Sequence, residues 1–396
     1  MRWIAQTIAV LLLNLRTIPA RLGSSSVAVV GIAGVVVVFV SVLSIGAGFA
    51  AAMRSSGSAS RALVMRTGAD SEMTSGLSGP ETDTIKQAPG IRKDGQTVLA
   101  ASELYLILDL NRKGVENSSS NVPMRGVEPT SMRARSEISL IAGRMLEFGT
   151  NEAVVGKGAS AEFADLDVGQ TFRSGKNSWT VVGVFEADGG VAESEIWADA
   201  RTLQGAFARG NSYQVVLAQL DSGSSYNTFK DWLTSNPALN VDVKHENEYY
   251  ENQSRAMTTL IGTIGYGIAV LMGIGAIFGA ILTMYTAVAS RSREIATLRA
   301  LGFNNWSVVI SVLGESLALG ALGGAIGGAA AYFAFNGYQA ATMNWQTFSQ
   351  VAFSFRVTPQ LLTTGLVYSL AMGLVGGLLP AIRAARLPIA SALREL

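Results

Sequence analysis

Hydrophobic positions gather in four long blocks, and charged positions are confined to the segments between them. Residues 22–53 run for 32 positions without an Asp, Glu, Lys or Arg, and include Val35-Val36-Val37-Val38-Phe39-Val40. A second uncharged block covers 256–290, 35 residues. A third follows Arg299 and reaches Phe355 with Glu315 as its only interruption, and a fourth is 357–382. A membrane-spanning helix needs roughly 20 predominantly apolar residues. Each block therefore supplies one span, at 27–53, 256–289, 305–335 and 357–382. The third block outlasts its span: residues 336–356 include Asn336, Gln339, Asn344, Trp345, Gln346 and Gln350, and read as an interfacial extracytoplasmic loop or short surface helix.

The distribution of Lys and Arg orients the spans. Residues 1–26 carry Arg2, Arg16 and Arg21 and no acid. The loop at 290–304 carries Arg291, Arg293 and Arg299 against Glu294, and the tail at 383–396 carries Arg383, Arg386 and Arg394 against Glu395. Positive charge is retained on the cytoplasmic side, which assigns all three segments there. Residues 54–255 hold 20 Lys and Arg against 26 Asp and Glu. They are long enough to fold as a domain, and on this topology that domain lies outside the cytoplasm. The apolar run from Trp3 to Leu15 invites a signal-peptide reading, but Arg16 and Arg21 follow it and no clean A-x-A site precedes the first span. An amphipathic helix at the cytoplasmic surface is the preferred reading of 1–26.

Composition agrees with a membrane protein and removes several functions. Only 15% of residues are charged and mean hydropathy is +0.32, where a soluble protein carries about 25% charge. A net charge of +1 argues against nucleic acid as a partner. With no Cys there is no disulfide framework, thiolate metal site or Cys nucleophile, and one histidine, His245, excludes a His-rich metal site. His245 lies among Lys244, Glu246 and Glu248 and reads as a solvated surface residue.

Residues 54–255 read as mixed α and β. Short β-rich runs fall at 62–66, 104–108, 152–155, 179–185 and 213–220, and Ser174-Gly175-Lys176-Asn177 forms a turn between 171–173 and 179–185. Helical patterns fall at 159–163, 200–208 and 226–233, while Asn117-Ser118-Ser119-Ser120-Asn121 reads as a polar loop. The charged stretch 244–255 reads as a helix continuing into span two, and 53–60 extends the first span outward or forms a flexible tether. The fold class is thus an α-helical membrane protein with four transmembrane helices and an α+β extracytoplasmic domain between spans one and two.

The strongest local motif is Arg293-Glu294-Ile295-Ala296-Thr297-Leu298-Arg299-Ala300-Leu301-Gly302. Ile295, Leu298 and Leu301 recur at helical spacing, leaving Arg293, Glu294 and Arg299 wet, and Gly302 is placed to end the helix. Such a helix in a cytoplasmic loop can simply cap the membrane surface. Gly320, Gly324 and Gly328 are four apart, as are Gly275 and Gly279, so each set makes a flat face for close helix approach. That face serves packing within one subunit or between subunits equally well. Glu315 is expensive inside a span; without a His or second acid it makes a poor proton relay and reads as a structural or coupling residue, bonded to a neighbouring helix or to Arg299 or Arg293. Gly156-Lys157-Gly158-Ala159-Ser160 is no P-loop, since Asn151 and Gly158 stand where a Gly and a Ser or Thr are needed. No catalytic, cofactor or metal residues are assigned.

Arg-Glu-Ile-x-x-Leu-Arg-Ala-x-Gly between two spans closely resembles the cytoplasmic coupling helix of the MacB/FtsX superfamily of ABC-transporter permeases, the four-span subunits also found in lipoprotein-releasing Lol complexes. Glu315-Ser316 with the glycines after it resembles that family's third span. Pro380-Ala381, Ala384-Ala385-Arg386-Leu387-Pro388 and Ser391-Ala392-Leu393-Arg394 are similar to its C-terminal signature. Met124-Arg125-Gly126-Val127, Ala142-Gly143-Arg144-Met145, Ala153-Val154-Val155-Gly156 and 179–185 resemble the MacB-type periplasmic domain.

The resemblance implies a permease that pairs with a second copy, identical or related, and binds a separate cytoplasmic ATPase, because no fused ATPase domain is in this chain. ATP and Mg would sit on that partner. Motion would pass through the coupling helices to the outside domain in a bacterial cytoplasmic membrane, handling a lipid, lipoprotein, peptide or amphiphilic compound, with a periplasmic adaptor or lipoprotein as a further partner. The alternative implied is an FtsX-type regulator of a cell-envelope hydrolase, whose outside domain is usually smaller.

Overall fold

The computed structural model describes residues 7, 11, 22–114, 118–174, 177–344 and 347–389. The surface helix expected over 1–26 therefore lies outside the described residues, apart from Thr7, Leu11 and the start of the first long helix. The turn residues 175–176 and the motif at 391–394 lie outside them too. Helices α1 (Leu22–Ser56), α7 (Glu246–Ser290), α9 (Asn305–Phe335) and α10 (Pro359–Ala385) are the long apolar ones. The shorter helices are α2 (Gly79–Ile85), α3 (Pro129–Ala134), α4 (Lys157–Glu162), α5 (Ala200–Ala206), α6 (Ser225–Ser235) and α8 (Ser292–Ala300).

The chain divides into two compact units. One holds residues 1–47, 259–338 and 355–396; the other holds 48–258 and 339–354. The boundary falls inside α1 and α7, both of which are continuous through it.

The second unit is built on a ten-stranded sheet. Its strands are β1 (Arg61–Arg66), β2 (Ala100–Asn111), β3 (Ser119–Val127), β4 (Ser139–Gly143), β5 (Glu152–Gly156), β6 (Thr171–Ser174), β7 (Asn177–Glu186), β8 (Ile196–Asp199), β9 (Val215–Gln219) and β10 (Val241–His245). The order is β10-β1-β9-β2-β3-β8-β5-β7-β4, with β6 also on β7. Pairing is antiparallel except for β8 with β3 and β7 with β5. Alternate residues Leu104, Leu106, Leu108 and Leu110 of β2 enter one apolar cluster. Leu104, Phe163, Trp179 and Leu203 form one apolar cluster with α4 and α5, and Val64, Val216, Phe229 and Leu233 form another with α6.

Four expectations are corrected. Within 336–356 the structure shows two paired strands, β11 (Gln339–Asn344) and β12 (Ser349–Ser354), rather than an irregular loop or a surface helix. This hairpin is part of the second unit: the Ala352 N–H donates to Ser194 Oγ at 2.7 Å and Asn344 Nδ2 donates to Gln253 Oε1 at 3.0 Å. Ser119, Ser120 and Asn121 are not loop residues but the start of β3, paired with Asn111, Leu110 and Asp109. Residues 241–245 form β10, so the helix starts at Glu246 rather than 244. His245 ends that strand half-buried, its ring stacked on Tyr226 with centroids 3.7 Å apart, because strand pairing with Ala62 turns it inward from solvent.

Candidate coupling site

Helix α7 ends at Ser290, and after Arg291 the chain enters α8, nine residues long. Its end is a Schellman motif: Phe303 N–H donates to the Leu298 carbonyl at 3.1 Å and Gly302 N–H to that of Arg299 at 3.0 Å. Gly302 has φ of +92°, a conformation that a Cβ would strain. Asn304 then caps α9 through its side chain, which accepts from the Trp306 N–H. The sequence thus folds a rigid helix–turn–helix rather than a slack loop.

Within it, Ile295 and Ala296 are buried, Leu298 is half-buried, and Arg293 and Glu294 are exposed. Leu301 is 73% exposed and Trp306 66%. Arg299 is half-buried rather than wet: its Nε donates to Asn305 Oδ1 at 3.0 Å and its Nη1 to the Leu387 carbonyl. Between α8 and the facing ends of α7 and α9 lies a cavity of about 360 Å³, lined by Met284, Val288, Ile295, Leu298, Val308 and Val312 among others.

Glu315 pairs with neither Arg299 nor Arg293. Its partner is Arg291, with Nη1 2.8 Å from Oε2 and Nη2 3.3 Å from Oε1, and both side chains are about 5% exposed. This arginine contributed only to orientation in the sequence reading. The available signal was that a lone acid in a span needs a cation within reach of its helix end, and Arg291 directly follows the second span.

The predicted glycine faces separate into two kinds. A Cβ on Gly320 would lie 2.8 Å from the Ser369 carbonyl oxygen, one on Gly324 2.9 Å from Ser369 Cβ, and one on Gly328 3.3 Å from Leu362 Cδ2. This face is spent on α10 of the same chain. Ser316 Oγ reinforces the contact by donating to the Gly373 carbonyl at 2.6 Å. Gly275 and Gly279 meet nothing within 4 Å, on a helix that also exposes Leu271, Phe278 and Leu282.

The second unit holds its own buried charge, which sequence reading missed entirely. All five N–H groups of Arg125 are used, on Glu72, Glu103 and Glu195 at 2.7–3.0 Å. Arg135 also binds Glu103. Burial alone would raise the Glu103 carboxyl, but Arg135 and Arg125 outweigh it and hold it at about 2.

Four apolar spans, a helix seated between the second and third, and an α+β insertion after the first define a multi-pass permease with an extracytoplasmic domain. The sequence profile of the MacB-like periplasmic core domain matches residues 25–236, over half of the chain, and that of the FtsX-like permease C-terminal matches 266–389. The chain belongs to the MacB/FtsX family of ABC transporter permeases. It is similar to two proteins of Bacillus subtilis (strain 168), the uncharacterized ABC transporter permeases YknZ and YvrN. Identity is 33% over 144 residues for YknZ (35% of this chain, 32% of that protein) and 28% over 154 residues for YvrN (39% and 34%). These matches span about a third of the relatives' length. Among solved structures, it is similar to the periplasmic region of MacB from Actinobacillus actinomycetemcomitans, with 14% identity and TM-score 0.38 over 51% of this chain and 96% of that one. It is also similar to the extracellular domain of the noncanonic ABC-type transporter YknZ from Gram-positive bacteria, with 14% identity and TM-score 0.35 over 46% and 99%.

Proposed function

We propose that this chain transmits ATP-driven motion from a separate cytoplasmic ATPase to its extracytoplasmic lobe, to export or extract a lipid, lipoprotein, peptide or amphiphilic compound from a bacterial cytoplasmic membrane. The observation that carries this reading is α8. It is a short helix with a locked C-terminal turn, anchored at its base by the buried Arg291–Glu315 pair and presenting Arg293, Glu294 and Leu301 outward. Force applied to such a helix displaces the spans it joins instead of deforming a loop. ATP and Mg belong on the partner ATPase, which supplies the hydrolytic groups. The second permease copy is assigned to the face of α7 that carries Gly275, Gly279, Leu271 and Phe278, since within one chain that face is uncovered.

The test is a complex purified with its ATPase. Arg299 is tied to Leu387, so Leu298 and Arg299 are poor probes of docking alone; Arg293→Glu with Leu301→Asp alters only exposed side chains. That double variant is expected to insert and fold normally but to lose at least about tenfold in ATPase retention, the scale of about 1.4 kcal/mol. Unchanged retention rejects the role of α8. So does labelling of single cysteines at residues 290–302 from the lobe side in intact cells, an experiment simplified by the absence of natural cysteine.

A further inference from the structure

The two membrane helices that carry the lobe begin and end on neighbouring strands. Helix α1 ends at Ser56 and β1 starts at Arg61; β10 ends at His245 and α7 starts at Glu246. Antiparallel pairing sets Ala62 opposite His245, which brings Arg61 beside Glu246. The Glu246 carboxylate oxygen Oε2 accepts from the Ser58 N–H at 2.9 Å and from Arg61 Nε at 2.5 Å. The other end of the Arg61 guanidinium grips Glu137, at 2.6 and 2.8 Å, and the Ala134 carbonyl at 3.1 Å. Arg61 and Glu246 are 4% and 1% exposed.

Two backbone features close the same junction. A Cβ on Gly57 would stand 2.7 Å from the Asn247 nitrogen and 2.9 Å from the Glu246 carbonyl carbon, so the exit of α1 touches the first turn of α7 directly. Ser56 Oγ accepts the Val191 N–H at 2.6 Å. The last residues of one helix and the first of the other are therefore fixed to each other and to the lobe, with no slack segment between.

We propose that Glu246 is a clasp, a positioning residue that makes the exit of the first membrane helix and the start of the second one rigid body with the lobe. One carboxylate holds both chain crossings, so the last turn of α1 and the first turn of α7 cannot move independently of each other or of β1. A buried pair is a poor source of stability; without Glu246, Arg61 keeps Glu137 but loses its tie to the start of α7. The part the clasp plays in transport rests on the force-transmission reading above; the rigidity does not.

The test uses nitroxide labels in the full chain, on Arg54→Cys with Glu251→Cys, both exposed and flanking the junction. A control pair, Asp109→Cys with Arg209→Cys, lies wholly within the lobe. In Glu246→Ala the width of the 54–251 distance distribution is expected to grow about twofold or more, as one conformation becomes an ensemble, while the control keeps its width. An unchanged 54–251 width overturns the proposal. If both pairs broaden, the lobe itself has come apart, and the decision passes to Glu246→Gln, which keeps the acceptor and the shape but removes the charge. Broadening of 54–251 alone in that variant supports the clasp, and its absence overturns it. In the complex with ATPase, a clasp variant that hydrolyses ATP without moving the lobe supports the transport role; a failure of ATPase docking would count against α8 and leave the distance result standing.

Discussion

Replacing Glu315 by Gln removes one charge from a pair that is almost completely shielded from water. Two unit charges about 4 Å apart attract by about 4 kcal/mol at an effective dielectric of about 20, and stranding one member of a buried pair costs about 3–5 kcal/mol. In that variant the two contacts, at 2.8 and 3.3 Å between guanidinium and carboxylate, lose their charged oxygen. Glu315→Gln and Arg291→Met should therefore each destabilise the helical unit by about 3 kcal/mol or more, whereas Arg291→Met with Glu315→Gln should destabilise it by clearly less than either single change, since neither charge is left buried. The assay is a double-mutant cycle from denaturant unfolding of the purified protein in detergent, with a coupling energy of at least about 2 kcal/mol expected. Additive single effects, with coupling under about 0.5 kcal/mol, would refute the claim that this pair seats α8 on α9.

The glycine faces should separate under the same assay: Gly324→Leu, aimed at Ser369, is expected to lose about 1–3 kcal/mol through overpacking, and Gly279→Leu, with nothing nearby, under about 0.5 kcal/mol in the monomer. If the uncovered face of α7 holds the second copy, Gly279→Leu should instead raise the dimer dissociation constant, read by light scattering or single-molecule counting. The lobe should be acid-sensitive: the Glu103 carboxyl is held at about 2 in the folded state against 4.5 unfolded, so its contribution is complete above about pH 5 and is lost as pH falls toward 2. That amounts to about 3 kcal/mol, followed by fluorescence of the buried Trp179 and Trp197; Glu103→Gln should flatten this part of the pH profile, and an unaltered profile would rule out Glu103 as its source.

The spans were legible because a missing charge is visible over thirty residues whatever the neighbours do. The sheet was legible where a strand is rich in β-branched or aromatic residues, as in 62–66 and 179–185, and illegible where pairing overrides composition. Ser119, Ser120 and Asn121 have the look of a loop, yet eight consecutive registered pairs with β2 hold the strand they begin. Residues 241–245 offer only Val241 and Val243 as an alternating signal, and two apolar positions cannot outweigh the helical pattern that follows. The hairpin at 339–354 was hidden because its partners, Ser194, Ser120 and Gln253, are distant in sequence. Periodicity reports the face that a segment buries and never names what buries it.

The same limit explains the ion pairs, and their placement carries an argument of its own. Helix α7 is 45 residues, about 67 Å at 1.5 Å per residue, well over twice what a bilayer core requires. Its first residue is Glu246, buried against Arg61, and the residue just after its last is Arg291, buried against Glu315. A buried charge is tolerable at a helix end, where its partner can come from another segment, and prohibitive along the lipid-facing middle. Contact with lipid alone allows a long, smooth helix to slide or rotate with little penalty, because one methyl contact replaces another. An ion pair admits one register. Each pair ties one end of α7 to its own unit, Glu246 to Arg61 and the residue after Ser290 to Glu315; under the force-transmission role proposed above, ends held in this way would pass displacement on instead of absorbing it.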